Sequence, residues 1–87
     1  MVRCRMRGYT FYFKGDPQDP ALLHIFARHL KKPQDAIRLF FSGETVWNSD
    51  RERFETMTDK ECLFWFWISQ VEKRVMAVSC FDLKEEK

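Results

Sequence analysis

The sequence predicts a single α+β domain in which one main helix packs against a mixed sheet of four or five strands. Three features predict this class: two-residue alternation at residues 2–13, helical apolar spacing at residues 20–30 and a densely aromatic run at residues 62–68. A chain of 87 residues that is 45% hydrophobic and contains nine phenylalanines suits one packed core. We therefore expect one domain over the whole chain, with its core in residues 2–68 and a C-terminal extension at residues 69–87.

Two strands are predicted at the start of the chain. Val2, Cys4 and Met6 alternate with arginines, so one side of the first strand is apolar and the other is basic. Gly8 allows the chain to reverse, and residues 9–13 alternate again. The pattern is typical of an N-terminal β-hairpin.

The main helix is predicted over residues 20–30. Asp19 followed by Pro20 has the form of an N-cap and a first helical residue. Leu22 and Ile25 then recur at helical spacing. Two lysines follow the helix, where cations interact favourably with the helix dipole.

The segment after Pro33 fits two secondary structures. Our first interpretation is a third strand at residues 36–41, because apolar side chains alternate there with Arg38 and Phe40. The alternative is a helix that begins at Pro33 and ends at Gly43, with one apolar face formed by Ala36, Ile37, Phe40 and Phe41.

The second half of the chain is predicted to end in strands. Residues 42–58 are polar, and we interpret them as a long connection that contains a short turn of helix or strand. Residues 62–68 have high β-propensity and are predicted to form a strand. Residues 74–81 alternate weakly and are predicted to form a further strand before a charged tail.

The residues around Pro33 also carry a family resemblance. Leu-Lys-Lys-Pro at residues 30–33 is followed by Asp35 and then by Arg-Leu-Phe at residues 38–40. In this order, after an apolar helix, they resemble ubiquitin-like proteins of the elongin B type. The resemblance implies a β-grasp fold with residues 74–81 as an extra C-terminal strand. It also implies a non-catalytic protein-interaction module or adaptor in a ubiquitin-ligase or transcription-elongation assembly.

Strand alternation predicts where such a module would bind. If Leu39 faces the helix, its neighbours Arg38 and Phe40 must lie on the opposite face of the sheet. The resemblance implies that this open face binds a protein partner. The predicted protein-binding residues are Arg5, Arg7, Tyr12, Arg38, Phe40, Phe64 and Phe66. The alternative is that residues 74–81 fold back and cover this face.

Two other functions remain open. With the helical version of residues 33–43, the segments His24-Ile25, Arg28-His29 and Arg51-Glu52-Arg53-Phe54 resemble BrnT-type or RelE-like toxin ribonucleases. That resemblance accounts for a final strand pair but expects a glycine and an apolar residue at positions 30 and 31. The third function is a small RNA-binding domain, in which Arg5 and Arg7 contact phosphates while Tyr12 and Phe64 stack on bases.

No catalytic, metal or cofactor residue is predicted. His24 and His29 are five residues apart, which places them about 140° from each other around a helix, so they cannot chelate one metal together. The sequence has no nucleophile–base motif and no glycine-rich phosphate loop. We therefore predict a non-enzymatic protein.

Cysteine usage and hydropathy bear on location and partners. Three widely spaced cysteines without a C-x-x-C pair are typical of reduced thiols in an intracellular protein, cytoplasmic or nuclear. The longest apolar run, at residues 63–68, is far too short to cross a bilayer, so we expect no membrane partner. A net charge of +2 does not by itself indicate nucleic acid. We expect a protein partner, with weak nucleic-acid binding as the alternative.

Overall fold

A computed structural model describes residues 2–15 and 31–83. The predicted main helix at residues 20–30 lies outside these residues. In chain order the elements are β1 (Val2–Met6), β2 (Tyr9–Phe13), α1 (Pro33–Ser42), β3 (Glu44–Asn48), β4 (Arg53–Met57), β5 (Glu61–Ser69) and β6 (Arg74–Asp82).

The described strands form one mixed sheet in the order β1-β2-β6-β5-β4-β3. Each neighbouring pair is antiparallel except β2 and β6, which run parallel. The α+β class and the N-terminal hairpin are confirmed. The sheet has six strands rather than four or five. Residues 74–82 neither extend the sheet nor fold over it, because β6 lies in its interior between β2 and β5.

The prediction of a strand at residues 36–41 is wrong, because this segment belongs to helix α1. Pro33 occupies the first turn, where its missing N–H costs no hydrogen bond. The Asp35 carboxylate accepts a hydrogen bond from the Lys32 backbone N–H at 3.0 Å, which satisfies a donor at the helix start. Proline therefore marks the beginning of a helix here.

Helix α1 ends at Gly43. The Gly43 N–H donates to the Leu39 carbonyl at 2.8 Å and closes the last turn. A Cβ atom at Gly43 would lie 2.9 Å from the Met57 carbonyl oxygen, so a side chain at this position would clash with β4. Glycine is needed here for close approach to the sheet, and the chain then enters β3 directly.

The connection at residues 42–58 is more ordered than predicted. It contains the hairpin of β3 and β4, whose strands pair from Glu44 opposite Met57 to Asn48 opposite Arg53. The Arg51 N–H donates to the Asn48 side-chain oxygen at 3.1 Å across the turn. Residue Glu52 has a φ of 55°, a left-handed conformation that the turn imposes.

The core lies between α1 and one face of the sheet, which we call the helix face. It is built from Phe11 and Phe13 of β2, from β5 and β6, and from three buried residues of α1. Trp65 Nε1–H donates to the Thr56 hydroxyl at 2.8 Å, so the one buried polar side chain of β4 has a partner. Among the described residues, the buried members of this core cluster are Phe11, Phe13, Ala36, Ile37, Leu39, Leu63, Trp65, Val75, Ala77 and Cys80.

Candidate functional site

The face of the sheet opposite α1 carries a row of side chains across four strands. Arg3 pairs with Tyr12, Tyr12 pairs with Met76, and Met76 pairs with Phe66. The adjacent rows, which include Phe11 and Val75, are buried on the helix face, so strand alternation directs this row away from α1. We call this surface the open face and define it by Arg3, Arg5, Tyr12, Arg53, Glu55, Phe64, Phe66, Arg74 and Met76.

Four of the predicted binding residues lie on the open face. Arg5 pairs with Thr10, which pairs with Arg74, so two arginines from different strands share one row. Tyr12 and Phe66 belong to the row described above, and Phe64 pairs with Glu55 of β4. The structure brings these four side chains to one surface, and their role in binding stays a prediction.

Phe40 was wrongly placed on the open face, because its segment is a helix. Its ring lies 4.9 Å from the ring of Trp65 and 5.0 Å from that of Phe11, measured between centroids. Phe40 therefore belongs to the packing beneath α1.

Arg38 and Arg7 also lie away from the open face. The Arg38 side chain is 62% exposed on α1 and forms loose ion pairs with Asp35 at 3.6 Å and Glu61 at 3.9 Å. Arg7 and Gly8 both have positive φ in the two-residue turn between β1 and β2, a geometry typical of tight hairpins. This turn directs the Arg7 guanidinium over the Phe41 ring at 4.9 Å, on the helix side of the sheet.

Three arginines of the open face were not in the predicted set. Arg3 obeys the same alternation as Arg5, and that signal was sufficient to find it. Arg74 and Met76 can be assigned to the open face only if β6 is known to be a neighbour of β2. This parallel pairing has no local sequence signal. Arg53 was part of the toxin-like segment and lies on the open face because Phe54 packs against Trp65 on the helix face.

The Arg53 side chain is held in place by its neighbours. Its guanidinium lies 3.5 Å from the centroid of the Phe64 ring, a close cation–π contact. Its Nε atom lies 3.0 Å from a Glu55 oxygen. The Asn48 amide donates to the same Glu55 oxygen at 2.9 Å. These hydrogen bonds, led by that from Asn48, lower the pKa of Glu55, so this carboxylate is charged at neutral pH.

Other arginines of the open face are less constrained. Arg74 pairs with Glu72 at 3.0 Å in an exposed contact. Within residues 2–15 and 31–83, no ion pair involves Arg3 or Arg5. Phe66, which pairs with Met76 on the same face, is 40% exposed. The open face thus combines accessible cations with an accessible aromatic ring, which suits a ligand with anionic groups and flat apolar surfaces.

The described residues offer no activated nucleophile. Burial raises the pKa of the Cys62 thiol to about 11 and that of the Cys80 thiol to about 12, so both are protonated at neutral pH. Burial acts to lower the pKa of Lys31, but hydrogen bonds to Asp82 and Glu61 outweigh it and hold the pKa above its ordinary value. Lys31 is therefore a charged structural group, 2.6 Å from Asp82 and 2.8 Å from Glu61.

The described part of the chain contains no group of three or more histidine, cysteine, aspartate or glutamate side chains that could hold a metal ion. It also contains no helix of the length and apolar character that crossing a membrane requires. His24, Arg28 and His29, which contribute to the toxin resemblance, lie outside the described residues.

No protein-family model, no curated protein and no solved structure gives a significant match to this chain.

Proposed function

We propose that the chain is a toxin-type ribonuclease of the BrnT or RelE kind, which binds RNA across the open face. The observation that carries this proposal is the helix Pro33–Ser42, ended by Gly43 and followed by the strands β3 to β6. The sequence fits two families at this segment, and only the toxin resemblance is compatible with a helix there.

The open face supplies the chemistry for RNA binding. Arg3 and Arg5 of β1 and Arg74 of β6 can contact phosphates, because all three side chains are exposed on the same face of the sheet. Tyr12 and Phe66 lie in the same row and can stack on bases. Arg53 is anchored by Phe64 and Glu55, so its guanidinium can meet a phosphate without first being ordered.

RNA binding is tested by fluorescence anisotropy with a labelled single-stranded RNA of about 12 nucleotides at several salt concentrations. Four phosphate contacts, from Arg3, Arg5, Arg53 and Arg74, predict a slope of about −3 for log affinity against log salt, and Arg3→Ala/Arg5→Ala should reduce its magnitude by about 1.4. The matched control is Arg38→Ala/Lys60→Ala, which removes the same charge from α1 and from the connection between β4 and β5. An equal loss in both double variants would show that binding follows net charge and not the open face.

Cleavage is tested on the same RNA by following product lengths over time. Wild-type protein should cleave the RNA, and Tyr12→Ala/Phe66→Ala should weaken RNA affinity by roughly tenfold or more through lost stacking. Binding without cleavage would identify the chain as a small RNA-binding domain. If neither binding nor cleavage occurs, the proposal is wrong.

A second candidate is a non-catalytic protein-interaction module that uses the same open face. The observation that favours it is Phe66, 40% exposed beside Met76, because large aromatic rings flanked by arginines are typical of protein-binding hot spots. The ubiquitin-like version requires a strand at residues 36–41, where the chain has a helix. We therefore keep the interaction module without the β-grasp assignment. Its test is capture of a partner from a cell extract by wild-type protein and loss of that partner with Phe66→Ala.

A further inference from the structure

The two edges of the sheet differ in how they are protected against pairing with another strand. Strand β1 forms one edge and strand β3 forms the other. Each edge strand exposes a row of backbone N–H and C=O groups that another strand can pair with. Within the described residues, β3 pairs only with β4, and none of these residues pairs with its other side.

Strand β3 lacks the features that usually protect an edge. Its sequence, Glu-Thr-Val-Trp-Asn, has no lysine, arginine or proline, and its register with β4 has no bulge. Val46 and Trp47 are each 53% exposed and point to opposite faces of the sheet. Strand β1, by contrast, has charged Arg3 and Arg5 in its centre. Strand β3 is therefore the edge that is built to accept a partner strand.

We propose that two copies of this chain pair along β3 in antiparallel orientation, around a two-fold axis at Val46. In this register Val46 lies opposite Val46 of the second copy, and Thr45 lies opposite Trp47. Glu44 lies opposite Asn48, so its charge meets an amide and not a second carboxylate. The five residues of β3 are thus complementary to themselves in charge and in size.

Trp47 strengthens this pairing. Its ring lies 4.8 Å from the Phe54 ring, between centroids, and this contact leaves about half of the residue exposed. Pairing at β3 places the exposed part against Thr45 and diagonally near Trp47 of the second copy, where long aromatic side chains reach each other. Because a two-fold pair uses the β3 edge of both copies, the assembly closes as a dimer with a continuous sheet.

The test uses residue 46, which lies opposite residue 46 of the second copy in the proposed dimer. The variants Val46→Lys and Val46→Glu are measured separately and as an equal mixture by sedimentation equilibrium. Wild-type protein should rise from the monomer mass of 10.6 kDa to twice that mass as concentration increases. Each variant alone should raise the dissociation constant by about a hundredfold or more, because two like charges would face each other. The mixture should restore the dimer, because lysine then faces glutamate.

The control is Val2→Lys, which places the same charge on the exposed edge strand β1 and should leave the dimer unchanged. Circular dichroism should show the same secondary structure in all variants, because residue 46 is exposed in the monomer. Three outcomes would overturn the proposal: a wild-type monomer at about 1 mM, a dimer that Val46→Lys does not weaken, or a charge mixture that does not restore pairing. If wild-type protein forms assemblies larger than a dimer and Val2→Lys abolishes them, β1 pairs head-to-tail with β3 and the proposal is wrong.

Discussion

The two faces of the sheet are built from alternate residues of the same strands, yet they have different surroundings. On β5, Trp65 is buried under α1, whereas its neighbour Phe66 is 40% exposed on the open face. On β2, Phe11 and Phe13 are buried, and Tyr12 between them is only partly covered. The difference shows that aromatic content does not identify the core of this protein. The position of the helix decides which aromatic side chains stabilise the fold and which are available to a ligand.

The two faces of the sheet also differ in how the hydrogen bonds of their polar groups are satisfied. On the helix face, Trp65 Nε1–H donates to the hydroxyl of buried Thr56, which also shares a hydrogen bond with the hydroxyl of exposed Thr45. On the open face, Arg53 and Glu55 satisfy each other, while Arg3 and Arg5 form no ion pair within the described residues. Buried polar groups must be satisfied within the protein, whereas exposed arginines can keep their hydrogen-bonding capacity for a ligand.

The largest expected difference between the two faces is in the stability lost when one phenylalanine on each face is truncated. Phe11→Ala should lower the free energy of unfolding by about 4 kcal/mol, because it empties a site that is 1% exposed. Phe66→Ala should lower it by about 1 kcal/mol, because the residue is already 40% exposed in the folded protein. Urea denaturation of both variants measures the difference. Similar losses would mean that the open face is covered by a part of the protein.

Phe40→Ala distinguishes the helix from the strand interpretation of residues 36–41. In α1 the Phe40 ring packs edge-on against Phe11 and close to Trp65. The free energy of unfolding should therefore fall by about 2–3 kcal/mol, because the ring is only partly buried. Affinity for RNA should not change, since Phe40 lies on the helix side of the sheet. A variant that keeps full stability but loses ligand affinity would show that Phe40 is part of the binding surface.

The smallest expected effect is the pH dependence of the stabilisation that Glu55 provides on the open face. Hydrogen bonds from Asn48 and Arg53 lower the pKa of Glu55 below its ordinary value of 4.5. The stabilisation that they provide is fully present above that pH and is lost as the pH falls through the lower folded-state pKa. Glu55→Gln should therefore be less stable than wild type at pH 7, and the gap should close in acid. Glu44→Gln on the neighbouring edge strand is the control, and thermal denaturation from pH 7 to pH 3 is the measurement. A gap that stays constant with pH would contradict the pKa assignment.

Local patterns were sufficient for several elements. Alternation predicted β1 and β2, and β-propensity predicted the aromatic strand β5. Alternation also placed Arg5, Tyr12, Phe64 and Phe66 together on one face of the sheet. These predictions depend on residues that are adjacent in the chain, because successive side chains of a strand must point to opposite sides. The same rule finds Arg3, which belongs to the same surface.

The segment from Pro33 to Gly43 shows where local patterns fail. Six residues that alternate also present Ala36, Ile37 and Phe40 on one side of a helix, so periodicity alone cannot separate the two structures. A helix forms because the Asp35 carboxylate and Gly43 complete its ends and because its apolar side packs on β4 and β5. The last of these causes is tertiary, and helices of this length depend on such packing.

The sequence by itself determined the spacing of apolar and charged side chains along each strand, the positions of Gly8 and Gly43 and the lack of lysine, arginine and proline in β3. Only the tertiary structure decided that β6 enters the sheet beside β2 and that α1 covers one face. Spacing is a property of neighbouring residues, and it follows from backbone geometry. Which face of the sheet α1 covers depends on the free energy of burying one segment against another that is distant in the chain. This free energy is gained only when the whole chain packs.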